Sequence, residues 1–68
     1  MITILEEKRK AVGLTQEFVA NVAGVTQQAI GHYEGGRRRL PVEVAKKIAP
    51  ILGIEWPQLF EERPGADS

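Results

Sequence analysis

Few side chains in this sequence could carry out catalysis. The 68 residues include one histidine, no cysteine and no paired carboxylates with a plausible pocket. Acid–base, metal-assisted and nucleophilic catalysis need such groups in combination, so an enzyme is the weakest interpretation, and neither a metal nor a cofactor is expected. The densest run of charge is Arg37-Arg38-Arg39, whose guanidinium groups suit the phosphates of a nucleic acid. Such a run is usually only a solvated surface, so the neighbouring elements must decide between the two interpretations.

The elements that would position these residues are all helical. No segment shows the alternation of a strand, whereas several show the apolar spacing of an α-helix. Threonines stand where N-caps are needed and glycines stand where helices end, which divides the chain into short helices. The predicted helices are Ile4 to about Val12, Gln16 to about Ala23, Gln27 to Glu34, Pro41 to about Leu52, and Pro57 to Phe60. Pro50 falls inside the fourth helix, where a kink or an early end is expected.

The second and third predicted helices are joined by a very short connection, Ala23-Gly24-Val25-Thr26. A connection of this length makes two helices cross steeply, as in a helix-turn-helix. Gly24 can take a positive φ angle in the turn, and Ala20 is small where the two helices would touch. The apolar residues expected to anchor the pair to the core are Val19, Val25, Ile30 and Tyr33. On these observations alone, a helical hairpin with no DNA-binding role is equally consistent.

The same stretch carries a resemblance to a known family. In chain order, its segments are Gly13-Leu14-Thr15-Gln16-Glu17 with Ala20, Gly24-Val25-Thr26-Gln27-Gln28, Ile30 with Tyr33-Glu34, and Ile48-Ala49 with Leu52-Gly53-Ile54. In this order and at this spacing they resemble the repressor and Cro family of lambdoid phages and the bacterial regulators that share its domain. The resemblance runs from about Leu5 to Phe60. It implies a compact, lambda repressor-like all-α bundle of five helices, with the third helix in the major groove of double-stranded DNA.

The resemblance places the base contacts at the start of the third helix. Gln27 and Gln28 occupy positions at which family members contact bases, and a glutamine amide can pair with N6 and N7 of adenine. Gly31 and His32 lie one turn further along the same face, and His32 by its family position also points at DNA. The alternative is that these are solvated helix residues and that Gly31 has no role.

Contacts to the sugar-phosphate backbone are implied on either side of the third helix. Gln16 matches a family glutamine that contacts a phosphate, at a helix N-terminus that favours an anion. Gly35 and Gly36 stand where family members offer backbone amides to phosphate, although many relatives have asparagine in place of Gly35. The residues expected to contact the DNA backbone are Gln16, Thr26, Gly35, Gly36, Arg37, Arg38, Arg39 and Lys8.

Two further sets of residues have structural roles in the family. An arginine at the position of Arg9 pairs with the acidic residue that ends the third helix, here Glu34, and holds that helix to the bundle. The family also binds two-fold operators as dimers, through a contact usually built after the fourth helix. The candidates for this homodimer interface are Ile54, Trp56, Leu59 and Phe60. The alternative is that all four simply close the core of the monomer.

The charges are distributed unevenly along the chain. Nine basic and nine acidic residues give zero net charge. Residues 1–50 hold eight basic and five acidic side chains, a net of +3, whereas residues 51–68 hold one basic and four acidic, a net of −3. Such asymmetry is typical of chains that bind nucleic acid. We expect one DNA-binding domain over residues 1–62 and a flexible acidic tail over residues 63–68.

The expected function is that of a cytoplasmic, Cro-like repressor that binds DNA as a dimer. The sequence shows no signal peptide and no membrane span, and its lack of cysteine suits a reducing compartment. No second domain that would sense a small molecule is expected. The alternative is an antitoxin or a restriction-modification controller protein, in which the same domain also serves a protein partner.

Overall fold

The computed structural model describes residues 3–61, which form four α-helices and one 3₁₀ helix. The α-helices are α1 (Ile4–Ala11), α2 (Gln16–Ala23), α3 (Gln27–Glu34) and α4 (Val42–Leu52), and the 3₁₀ helix spans Trp56–Phe60. No strand occurs within residues 3–61, so the predicted all-α class is confirmed there. The count of five α-helices is not confirmed, because the last element is a 3₁₀ helix. The predicted acidic tail, residues 63–68, lies outside the described residues, as does residue 62.

The first three helices begin where a threonine side chain caps them. The hydroxyl oxygens of Thr3, Thr15 and Thr26 accept hydrogen bonds from the backbone N–H groups three residues later, at 3.2, 3.0 and 3.1 Å. Each bond satisfies one of the donors that a helix N-terminus leaves without a partner in the helix. Because this interaction is local, it explains why the starts of α1, α2 and α3 agree with the sequence.

Glu6, in the first turn of α1, forms an ion pair within the same helix. The Lys10 ammonium lies 2.9 Å from Glu6 Oε2, one turn later on α1. The hydrogen bond from Lys10 lowers the pKa of the Glu6 carboxyl below its ordinary value. An ion pair in contact with water, such as this one, contributes little to folding stability.

Glycine and proline residues lie at the ends of α2 and α4. Gly24 ends α2 and Gly53 ends α4, with φ angles of +74° and +75° that any residue with a Cβ rarely adopts. Pro41 is the N-cap of α4, so the helix starts at Val42, one residue after the start that the sequence predicted. Pro50 does not end α4 early: the helix continues to Leu52. Since Pro50 lies in the last turn, it removes only one hydrogen bond while Leu52 beyond it stays buried.

The core draws apolar side chains from every helix. Its buried members are Leu5, Val19, Ala20, Ala23, Ile30, Val44, Ala45, Ile48, Ala49, Leu52 and Leu59. The α2 helix packs against α3 and α4, and the 3₁₀ helix packs against α4 and α1. Ala20 and Ala23 are the small residues of α2 that are buried in this packing. The core therefore fixes α2 and α3 as a pair on a support made by the other elements. None of the helices within residues 3–61 is long and apolar enough to cross a lipid bilayer.

Candidate nucleic-acid interface

One side of α3 faces the core and the opposite side faces solvent. Ala29, Ile30 and Glu34 are buried, whereas Gln27 and Gln28 are exposed. A helix of 3.6 residues per turn puts Gln28 nearly opposite Ile30, whereas Gln27 lies one turn before Ile30 and is exposed because it stands at the N-terminal end of the helix. The two glutamines predicted to contact bases therefore lie together on the free surface, at the N-terminal end of α3.

The exposed side of α3 belongs to a shallow, open groove of about 420 Å³, which we call the α3 groove. Its lining residues are Gln16, Gln27, Gln28, Gly31, His32, Gly35 and Arg37. All seven are residues that the sequence predicted to contact DNA, and they come from the start of α2, from α3 and from the loop after it. The predicted contact at Lys8 lies on α1 and is not part of this lining.

The turn between α2 and α3 is closed by backbone hydrogen bonds. The amides of Gly24 and Val25 donate to the carbonyl oxygens of Asn21 and Ala20, at 3.3 and 3.0 Å. Thr26 then begins α3 by accepting a bond from the Ala29 amide. That bond uses the Thr26 hydroxyl as an acceptor, so its own proton can still be donated to an external group such as a phosphate oxygen.

Glu34, at the end of α3, is a buried carboxylate with an exposed fraction of 4%. It forms an ion pair with Arg9 of α1, with 2.5 Å between Arg9 Nε and Glu34 Oε2 and a second bond from Arg9 Nη2 to Glu34 Oε1 at 3.3 Å. Arg9 Nη1 also donates to the carbonyl oxygen of Leu14 at 2.8 Å. The guanidinium thus connects α1, the loop before α2 and the end of α3, in the place where the family resemblance put an ion pair.

Gln16 has a hydrogen-bond partner within the protein that the sequence did not predict. Its side-chain Nε2 donates to Glu34 Oε1 at 3.0 Å, across 18 positions in the chain. The sequence assigned this glutamine to a phosphate, with no intramolecular partner. A signal was available in the helix-turn-helix itself, since two helices crossing through a short turn can bring the start of the first near the end of the second.

The amides of Gly35 and Gly36 already have partners within the protein. Both were expected to be offered to phosphate, but Gly35 N donates to Gly31 O at 2.9 Å and Gly36 N donates to Tyr33 O at 3.2 Å. The amide of Arg37 likewise donates to His32 O at 2.9 Å. The physical reason is that the last carbonyls of a helix need donors, and this loop supplies them.

The arginine side chains of this loop remain available. Arg37, Arg38 and Arg39 are all exposed, and none of the ion pairs among residues 3–61 involves them. Three adjacent guanidinium groups beside the α3 groove make this edge strongly positive, which favours a polyanion.

A comparison with known protein families decides which fold this is. Residues 5–59 match the sequence profile of the helix-turn-helix family. The chain belongs to the Cro/C1-type helix-turn-helix family. The resemblance to phage repressors and Cro proteins is thereby confirmed, and the α2–α3 unit is its helix-turn-helix.

Relatives of this helix-turn-helix chain occur in archaea and bacteria. An uncharacterized HTH-type transcriptional regulator of Methanothermobacter thermautotrophicus is 46% identical over 55 residues, covering 81% of this chain and 80% of the relative. Uncharacterized HTH-type transcriptional regulators of Sinorhizobium medicae and Rhizobium meliloti are each 33% identical over 58 residues. The match covers 85% of this chain but only 42% of those two relatives. No solved structure matches the chain significantly.

The predicted dimer residues of the helix-turn-helix chain have unequal exposure. Leu59 is buried in the protomer core, which favours the alternative that this residue closes the core of the monomer. Ile54 and Trp56 are partly buried against the same core, whereas Phe60 keeps 41% of its surface exposed. The rings of Trp56 and Phe60 meet edge to face, with 6.1 Å between their centres. Lys46 Nζ lies 5.3 Å from the centre of the Trp56 ring, so its ammonium has an aromatic partner within the protomer.

Proposed function

We propose that this protein is a sequence-specific DNA-binding transcriptional regulator, a Cro-like repressor that binds a two-fold operator as a dimer. The observation that carries the proposal is the α3 groove: in a chain of the helix-turn-helix family, it gathers seven predicted DNA contacts on one exposed surface. In helix-turn-helix proteins the second helix of the motif enters the major groove with its N-terminal residues toward the bases. The names of the relatives, HTH-type transcriptional regulators, support a regulatory role.

In this proposal the amides of Gln27 and Gln28 contact bases. Both side chains are exposed at the N-terminal end of α3. A glutamine amide presents a donor and an acceptor together, which match N7 and N6 of adenine, and a good bidentate pair supplies about 1–3 kcal/mol of discrimination. His32, one turn later and half-buried in the α3 groove, is placed to donate to a base or phosphate from its ring N–H.

Contacts to phosphate come from the edges of the α3 groove. Arg37, Arg38 and Arg39 supply positive charge, and the Thr26 hydroxyl supplies a donor at the N-terminus of α3, where the helix dipole also favours an anion. These contacts are independent of sequence, and each neutralised phosphate steepens the loss of affinity with added salt. They set the register from which the two glutamines act.

The dimer contact in this proposal is built around Phe60, the exposed large apolar residue of the 3₁₀ helix, with Ile54 and Trp56 beside it. A two-fold contact pairs the same patch from each protomer. Two copies of α3 then meet half-sites about one helical turn of DNA apart.

The test is selection of the purified chain against a library of randomised duplexes, followed by sequencing of the retained DNA. We expect a short two-fold site with adenines at matching places in each half. Gln27→Ala should remove enrichment at one of these places while binding to unselected DNA persists. Asn21→Ala, which removes an exposed amide of α2 outside the α3 groove lining, is the matched control and should leave the selected site unchanged. Absence of any enriched site at low salt would contradict the proposal and favour a protein partner instead.

A further inference from the structure

The two helices of the helix-turn-helix are connected at both ends, by the turn at one end and by a side-chain hydrogen bond at the other. At one end, the turn through Gly24 joins the last residue of α2 to the first of α3. At the other end, the hydrogen bond from Gln16 Nε2 to Glu34 Oε1 joins the first residue of α2 to the last of α3. The turn and the apolar packing of α2 against α3 still tolerate small changes in the angle between the two helices. The hydrogen bond at the opposite end restricts that angle further.

The acceptor in this hydrogen bond is itself held firmly. Glu34 is the buried charged residue of the described chain, and both of its carboxylate oxygens accept bonds from the Arg9 guanidinium. Its orientation is therefore set before Gln16 contacts it. A hydrogen bond to a buried charged group is stronger than one between neutral groups in water, because the surrounding protein screens it less.

The surface of α3 also leaves room for the Gln16 side chain to reach Glu34. A Cβ atom built on Gly31 would have one close neighbour outside its own helix, Gln16 Nε2 at 3.8 Å. The Gln16 amide thus passes directly beside Gly31. A large side chain at this position would compete with the amide for the same space.

We propose that Gln16 is a positioning residue for the α3 groove: by donating to the buried Glu34, it fixes the angle of α3 and so the placement of Gln27 and Gln28. The proposal rests on the proposed function, because it concerns how that function discriminates between DNA sequences. It differs from a phosphate contact, which the family resemblance gives to this position, in acting through the protein. Base contacts depend on placement to within an ångström or less, whereas contacts made by long exposed arginines adapt to small changes of angle.

The test compares Gln16→Met with the wild-type chain on the selected duplex and on a scrambled duplex of equal length. Methionine keeps the length of the side chain and removes the donor. We expect affinity for the selected duplex to fall about tenfold, the lower end of what loss of a hydrogen bond to a charged group implies, with affinity for the scrambled duplex changed less than about twofold. An equal loss on both duplexes would overturn the proposal, since it is the result of removing a phosphate contact.

Repeating the selection with each variant separates positioning from direct contact with a base. Gln16→Met should weaken preference at every place in the site, because the whole of α3 is less well placed. The matched control is Gln28→Met, the same substitution on an exposed glutamine of α3, which should weaken preference at one place only. Loss confined to a single place in Gln16→Met would overturn the positioning role.

A measurement without DNA keeps the two proposals distinguishable. In the wild-type chain, hydrogen exchange at the Gln16 side-chain amide should be slower than at Gln27 and Gln28, which are exposed and serve as internal references. Exchange as fast as in those references would refute the hydrogen bond itself, whatever the protein binds. Slow exchange in a chain that enriches no DNA site would refute the proposed function and leave the Gln16–Glu34 contact standing.

Discussion

The α3 groove and the C-terminal 3₁₀ helix are held to the protein by different forces. Behind the groove, a buried carboxylate takes directional hydrogen bonds from Arg9 and Gln16. The 3₁₀ helix is held by apolar packing of Leu59 and by Trp56, which packs against the core and lies under the Lys46 ammonium of α4. Hydrogen bonds specify orientation, which discrimination between bases requires, whereas apolar packing specifies burial and tolerates small shifts. A change behind the groove should therefore alter selectivity as well as stability, whereas a change in the 3₁₀ helix should alter stability and association without altering selectivity.

The largest effect is expected from removing the buried carboxylate. Glu34→Ala leaves the Arg9 guanidinium, itself mostly buried, without its counter-charge, and the free energy of unfolding should fall by about 3–5 kcal/mol. Urea denaturation followed by circular dichroism measures this loss. The control is Glu6→Ala, which removes the other ion pair of α1, one that is open to solvent. If both variants unfold at the same urea concentration, the bonds behind the groove are not what holds α3.

An intermediate effect should distinguish two neighbouring residues of the 3₁₀ helix. Leu59→Ala opens a cavity in the core and should lower the free energy of unfolding by about 2–4 kcal/mol. Phe60→Ala removes a side chain that is 41% exposed, so it should change monomer stability much less but weaken self-association and operator binding. Urea denaturation and sedimentation velocity, run on both variants, measure the two properties. A dimer unaffected by Phe60→Ala would place the contact elsewhere.

The smallest effect is expected at two glycines of the helix-turn-helix. Gly31→Ala should raise the free energy of unfolding by about 1 kcal/mol, because alanine favours a helix and its Cβ would meet Gln16 only at an ordinary contact distance of 3.8 Å. Gly24→Ala should lower it by about 1 kcal/mol, because φ is +74° there. Thermal melts of the two variants test the pair together. A lower melting temperature for Gly31→Ala would show that α3 has less free space beside Gln16 than the structure indicates.

Most of the fold followed from short-range patterns. The bounds of α2 and α3 agree with those predicted, because Thr15 and Thr26 cap the helices through bonds to residues three positions away. The prediction was less successful at the C-terminus. There Pro57 indicated the start of an α-helix, but the element is a 3₁₀ helix of five residues beginning at Trp56. A segment this short has too few helical hydrogen bonds of its own, so packing decides its form.

The candidate site was likewise predicted from the sequence only in part. The exposure of Gln28 follows from the helical repeat once Ile30 is recognised as a core residue, and that of Gln27 follows from its place in the first turn of α3. The engagement of the Gly35 and Gly36 amides was not predicted, although their acceptors, Gly31 O and Tyr33 O, lie within the preceding turn of α3, as is usual at the end of a helix.

By itself, the sequence determined the helices, their caps, the short turn and the family, because each depends on residues that are neighbours in the chain. Only the tertiary structure decided that Gln16 donates to Glu34, that Leu59 belongs to the core and that Lys46 lies over Trp56. The physical reason is distance along the chain. These contacts join residues of different elements, and they form only after the burial of Val19, Ile30 and Ile48 has brought those elements together.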